Sequence, residues 1–257
     1  MKTLTVHSFA VHGTASLKAI LSILGTRVLP VPSLYLTGLT NIPGFVKTEV
    51  QFEALLTGSL ALARQRGEAI ILYVGYLGQA WQARLVAEAI TAYRDIIHAI
   101  VIDPVSGDQG RLYVPQDVVE AWPLLLSQAD WALPNLTEVT LLSGLSPSPD
   151  LTPDVYIEAF RRRFPDTSLI VTSLEAAQDL SLRLISGDTD TVFTHARVAR
   201  HFGGTGDVFA AWFIYYHYYM HLGGAESMQR AALRTLDALR LAMERNSPDL
   251  ILEPTAS

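Results

Sequence analysis

Near the C-terminal end, Gly203-Gly204-Thr205-Gly206-Asp207 places an acid directly after a glycine-rich turn. Glycines on both sides of Thr205 let the backbone turn tightly and present several N–H groups where a helix begins. A helix start carries partial positive charge and unpaired donors, which suits a phosphate. A carboxylate in the first turn, Asp207, can take a proton from a substrate hydroxyl. Anion cradle and adjacent base together are what phosphoryl transfer to an alcohol requires. The same five residues also make an ordinary loop followed by a first-turn acid, so the pentapeptide alone leaves both readings open.

Two further stretches carry oxygen ligands. Asp103-Pro104-Val105-Ser106-Gly107-Asp108-Gln109-Gly110 follows an apolar run. Its two carboxylates, five residues apart, can face Mg²⁺ and nucleotide phosphates through water, or can brace an Asx-type turn. Asn135-Leu136-Thr137-Glu138 has the spacing of a capping box, and its glutamate can also support a metal or its waters. Other chemistries are excluded by pattern. The chain has no G-x-x-x-x-G-K-[ST], no G-x-S-x-G and no complete dinucleotide-binding glycine fingerprint. His217 and His221 have metal-ligand spacing, but they lie in a run of six aromatic residues without an accompanying glutamate base. Packing is the better reading for them.

These residues need a frame, and the chain alternates strand-like and helix-like segments. Apolar strand runs are expected at 4–9, 28–36, 69–74, 99–102, 131–133 and 168–171. Helices are expected at 15–24, 48–66, 79–93, 115–127, 135–143 and 152–164. Pro30 and Pro32 push the second strand toward a sheet edge. Residues 180–185 and 191–194 read as a hairpin, and helices at 208–222 and 227–246 close the chain. The expectation is one α/β domain over residues 1–257: a three-layer α/β/α sandwich whose mostly parallel sheet carries an appended antiparallel hairpin. Ser8, Tyr76, Asp103, Leu133-Pro134-Asn135 and Thr172-Ser173 all fall at carboxyl ends of strands. Sheets of this kind bind ligands there, so these residues are expected to form one site.

Composition narrows the partners. The chain has 257 residues, 49% of them hydrophobic, and a net charge of −6, with pI near 5.6 and mean hydropathy +0.25. That balance argues against a nucleic-acid surface. The absence of cysteine rules out thiolate metal sites and disulfides. The N-terminus enters a strand-like run without a signal-peptide pattern. The apolar helix at 208–222 is shorter than the roughly 20 residues of a membrane span. A soluble cytoplasmic protein is expected.

With these residues in view, the chain resembles the pyridoxal kinases of the ribokinase-like superfamily over nearly its whole length. The resemblance rests on Ser8, Gly75-Tyr76-Leu77-Gly78, the Asp103-to-Pro115 segment, Pro134-Asn135-x-x-Glu138, Thr172-Ser173 and Gly204-Thr205-Gly206-Asp207. It implies ATP-dependent phosphorylation of the 5′-hydroxymethyl group of pyridoxal, pyridoxine or pyridoxamine. Asp207 corresponds to the catalytic base, and Gly204, Thr205 and Gly206 to the anion hole. Ser8, Asn41, Tyr76 and Tyr113 correspond to substrate-pocket residues, Tyr113 on a flap. Asp103, Asn135, Glu138, Thr172 and Ser173 correspond to the ATP side, with Asp108 and Glu138 beside the metal. Mg²⁺ with ATP as co-substrate and a homodimer are implied as well. Leu133 stands where the family often has threonine near its monovalent-cation site, which leaves K⁺ dependence open. Asn41-Ile42-Pro43-Gly44 replaces the family's Asn-His-Thr-Gly beside the vitamin ring, removing two polar contacts. Ala15-Ser16-Leu17-Lys18-Ala19 is also similar to hydroxymethylpyrimidine kinases. These are the alternative, alongside a catalytically weak ligand-binding relative.

Overall fold

The computed structural model describes residues 1–40, 42–176 and 179–252; Asn41 lies outside the described residues. Its frame is a nine-stranded sheet in the order β11-β10-β9-β8-β5-β4-β1-β2-β3. The parallel part comprises β1 (Lys2–Ala10), β2 (Val28–Leu36), β4 (Ile70–Val74), β5 (Ile97–Ile102), β8 (Trp131–Ala132) and the start of β9 (Ser168–Ala176). On one side, β10 (Asp179–Ser186) and β11 (Thr189–Ala196) add the expected antiparallel hairpin. On the other, the two-residue β3 (Lys47–Thr48) pairs only with Tyr35 and Leu36 of β2. Pro30 and Pro32 therefore sit where, among the described residues, β2 has β1 as its one neighbour, an edge position that tolerates a missing N–H.

The alternation of side chains along a strand divides the core into two layers. In β4, which is buried throughout, Ile70, Leu72 and Val74 face one apolar cluster. Ile71 and Tyr73 face the other. The first cluster is covered by α2 (Phe52–Gln65), α3 (Ala80–Ala92), α4 (Gln116–Ala121), α5 (Pro123–Leu126), α6 (Leu136–Leu142) and α7 (Pro153–Arg163). The second is covered by α1 (Ser16–Leu24), α8 (Thr205–Ile214) and α9 (Gly224–Glu244). Helices on both faces of a mostly parallel sheet make the sandwich expected from the sequence.

Several boundaries differ from expectation for physical reasons. Residues 48–66 do not form one helix, because Lys47 and Thr48 are held by β2 and α2 begins only at Phe52. The helix expected over 115–127 is two, interrupted at Pro123, which has no N–H to continue the ladder. The glycine-containing loop at 107–112 is a short hairpin, β6 (Gly107–Asp108) with β7 (Arg111–Leu112). Gly107 permits it, since a Cβ there would lie 2.2 Å from the Arg111 carbonyl oxygen. The helix expected from Val208 starts three residues earlier and widens into a π turn at Tyr215–Tyr219. His217 packs edge-on to Trp131 and stacked on Phe213, as the packing reading required. The aromatic run around it is part core, with Trp212 and Phe213 buried, and part half-buried flank at Tyr215, Tyr216, Tyr218 and Tyr219.

Candidate active site

The site forms where α8 begins against the carboxyl ends of the parallel strands. Gly204 caps α8 with φ of 86°, and a Cβ there would lie 2.6 Å from both the Thr14 carbonyl oxygen and Ala15 Cβ. Only glycine lets the start of α8 lie this close to the turn before α1. Val208 makes an i→i−4 bond to the Gly204 carbonyl at 3.0 Å. The N–H groups preceding it have no intrahelical acceptor. The Thr205 hydroxyl folds back onto the Phe202 carbonyl at 2.9 Å, which keeps the side chain clear of those amides. At Gly206 the nearest atom to a would-be Cβ is Asp103 Oδ2 at 3.9 Å. Protein packing does not demand glycine there.

Asp207 is buried, with both carboxylate oxygens engaged. Oδ2 accepts a short hydrogen bond from the Ser16 N–H at the start of α1. Ser16 takes φ of 57°, a left-handed conformation uncommon for a residue with a side chain and typical of functional sites. Oδ1 lies 3.0 Å from Nε2 of buried His7, a contact of distance rather than of a well-aligned hydrogen bond. Ser8 lies on the same floor, its hydroxyl 2.8 Å from that of Ser16. The Tyr76 ring stands 6.5 Å from the His7 ring. The Tyr76 hydroxyl is buried without a protein hydrogen-bond partner among the described residues. Burial raises its pKa, so it remains a donor.

Beyond Asp207 lie two more buried acids. Asp103 follows β5 and accepts from the Tyr73 hydroxyl at 3.3 Å. Burial, then the charge of Asp207, push its carboxyl up to about 7, against the pull of His7 and Tyr73. Glu138 is raised well above the ordinary carboxylate range, by burial first and Asp103 second. Hydrogen bonds from Ser106 and Asn135 N–H, both 2.9 Å, act in the opposite sense. The capping box at Asn135 is fully formed, and the Asn135 amide also donates to the Gly107 carbonyl at 2.8 Å. One cap thereby starts α6, aims Glu138 and ties down the β6–β7 flap.

The remaining expected residues lie around this centre. Tyr113 is partly exposed on the flap, hydrogen-bonded through its N–H to Ser106 at 2.8 Å, and it senses the charges of Asp108 and Glu138. Asp108 accepts from the Gln109 N–H at 2.9 Å, the local turn contact that was the alternative to a metal role. Thr172 is bridged to Asn135, while Ser173 is exposed with φ of 61°. Among the described residues no three His, Asp or Glu side chains close into a metal cage. The donor set nevertheless fits Mg²⁺: two buried carboxylates, no soft ligand, and a surplus of negative charge. Mg²⁺ commonly binds through one or two carboxylates, waters and substrate phosphates. Beside Gly203 a cavity of about 450 Å³ opens between His12, Leu39, Ile42, Phe45 and His201. Ile42 and Pro43, where the family motif is polar, form part of its wall.

His7 is the residue that sequence reasoning missed. It was absorbed into an apolar strand, although a lone histidine directly before Ser8 at a strand's carboxyl end was a readable signal. Tyr73, inside a buried run, offered none.

The family model described as phosphomethylpyrimidine kinase matches residues 66–241. A pyridoxine/pyridoxal/pyridoxamine kinase of Bordetella pertussis is 31% identical over 243 residues, covering 89% of this chain and 83% of the relative. The chain belongs to the pyridoxal kinase family. Among solved structures, a Bacteroides thetaiotaomicron protein provisionally named a phosphomethylpyrimidine kinase, in a crystal form with pyridoxal, superposes with a TM-score of 0.82. It is 26% identical, with 94% of this chain and 88% of that one covered. Entamoeba histolytica pyridoxal kinase, 20% identical, shares the ribokinase-like fold at a TM-score of 0.84, covering 93% and 89%.

Proposed function

We propose that this protein is an ATP-dependent kinase that phosphorylates the 5′-hydroxymethyl group of a vitamin B6 vitamer. The observation that carries the reading is the meeting of the α8 first turn, Asp207 and two buried acids at the carboxyl ends of the central strands. Family membership sets the substrate class. The first-turn amides of α8, Gly204 to Gly206, stabilise charge on the transferring phosphoryl group, and Asp207 takes the hydroxyl proton as the oxygen attacks in line. Asp108 and Glu138 would hold Mg²⁺ through water, with Asp103 beside them on the ATP side, and the metal would neutralise charge on nucleotide phosphates. Asn135 orients Glu138 and the flap. Ser8, Tyr76 and, across the flap, Tyr113 line the vitamin side, with Thr172 and Ser173 on the nucleotide side. The whole chain, residues 1–257, acts as one kinase domain, and we extend the proposal to a cytoplasmic homodimer. Among the described residues no helix is long and apolar enough to cross a membrane.

A panel of pyridoxal, pyridoxine, pyridoxamine and hydroxymethylpyrimidine, scored by kcat/KM with and without K⁺, tests the reading. Preference for hydroxymethylpyrimidine would install the alternative, and absence of substrate-dependent ADP release would leave a ligand-binding relative. Asp207→Asn is expected to lower kcat by at least ~10²-fold, the low end for a positioned base. Near-normal turnover in that variant would remove Asp207 from the mechanism.

A further inference from the structure

We infer that His7 is a positioning residue for phosphoryl transfer, holding the Asp207 carboxylate through an Nε2–H fixed by the backbone; the inference rests on the function proposed above. The Ser8 N–H donates to His7 Nδ1 at 2.9 Å. A nitrogen that accepts a hydrogen bond carries the lone pair, so the single proton of a neutral imidazole sits on Nε2. That nitrogen lies 3.0 Å from Asp207 Oδ1, off the line of a well-aligned hydrogen bond, so it holds the carboxylate by close electrostatic contact. Its ring is confined: a Cβ at Gly75 would lie 2.1 Å from His7 Cδ2, and the Tyr73 and Tyr76 rings stand 6.2 and 6.5 Å away. The base is thus held from two directions. The start of α1 holds Oδ2 through Ser16, and the end of β1 holds Oδ1 through His7. Without His7, no other group among the described residues holds Oδ1, and the carboxylate, tethered at Oδ2 alone, can swing away from the substrate hydroxyl. The proton taken from that hydroxyl resides on Asp207 and leaves to solvent after product release; His7 keeps its own proton throughout.

Three measurements decide the matter. His7→Phe keeps the ring and removes both nitrogens, and His7→Gln restores a donor and an acceptor. His7→Phe is expected to lower kcat by about 10- to 100-fold, the scale of a misplaced reacting group, with KM for ATP within about threefold of wild type. His7→Gln is expected to recover most of that loss. In the wild-type protein, ¹⁵N-resolved imidazole spectra are expected to show the Nε2–H tautomer at His7. Undiminished kcat in His7→Phe, a loss confined to KM, no recovery in His7→Gln, or an Nδ1–H tautomer each overturns the inference. The spectra decide it even where His7→Phe does not fold. A wild-type protein that transfers no phosphate overturns the functional reading and this inference together, whereas an active wild type with an indifferent His7 overturns the inference alone.

Discussion

Gly204 and Gly206 flank one threonine, yet the structure gives them opposite physical roles. Gly204 is required by packing and by its φ of 86°: a Cβ would meet the Thr14 carbonyl oxygen and Ala15 at 2.6 Å. Gly206 is crowded by nothing in the protein closer than 3.9 Å and sits in the first turn of a helix, where alanine is the better helix former by up to about 1 kcal/mol. Gly204→Ala is therefore expected to lower both the urea midpoint and kcat, since it pries α8 from the turn that supplies the Ser16 N–H. Gly206→Ala is expected to leave the midpoint unchanged or raised while kcat falls at least ~10-fold, because the added methyl covers the anion-binding amides. Equal losses of stability and activity in Gly206→Ala would assign that glycine to packing instead. The glycine motif was legible in the sequence, but this division of labour was not. It depends on Thr14 and Ala15, some 190 residues away, which periodicity and local spacing cannot place.

At the scale of elements, apolar patterning gave strand and helix types correctly where the run was long and buried, as in β4 and α3. It failed at ends governed by pairing or by backbone chemistry. The start of α2 is set by strand pairing, the break between α4 and α5 by Pro123, and the early start of α8 by Gly204. Asn135 was the exception, a boundary readable in advance because its capping box is local. That cap does more than begin α6, since the Asn135 amide also fastens the Gly107 carbonyl of the flap. Asn135→Ala is expected to cost about 0.5–2 kcal/mol in urea unfolding, the range for a lost N-cap. Because Glu138 loses its aim and the flap its anchor, KM for ATP should rise more than KM for the vitamer. An unchanged KM for ATP would separate this cap from the nucleotide side.

Over the molecule as a whole, a sheet with its cores on both faces places Asp207, Asp103 and Glu138 close together at one end, away from water. Their like charges work against the fold. The Asp103 carboxyl, about 3.8 when free, is pushed up to about 7 in the folded protein, and Glu138 is displaced in the same direction. Between those pH values the folded state holds a proton that the unfolded chain releases. Stability is therefore greatest below about 4 with respect to this group, and is lost as pH rises toward 7. Asp95 and Asp190 are displaced the other way by Arg64 and Arg183. They are largely exposed, and their contribution is lost only as pH falls below the ordinary carboxylate range, outside this window. The ligand-free protein is accordingly expected to lose on the order of a few kcal/mol between about pH 4.5 and 7.5 in urea unfolding. Asp103→Asn, which cannot ionise, should flatten that slope and be relatively more stable at the upper end. A wild-type-minus-variant difference independent of pH would mean that Asp103 ionises as freely in the folded protein as in the unfolded chain, and the crowding of charge beside Asp207 would then not be a property of the fold.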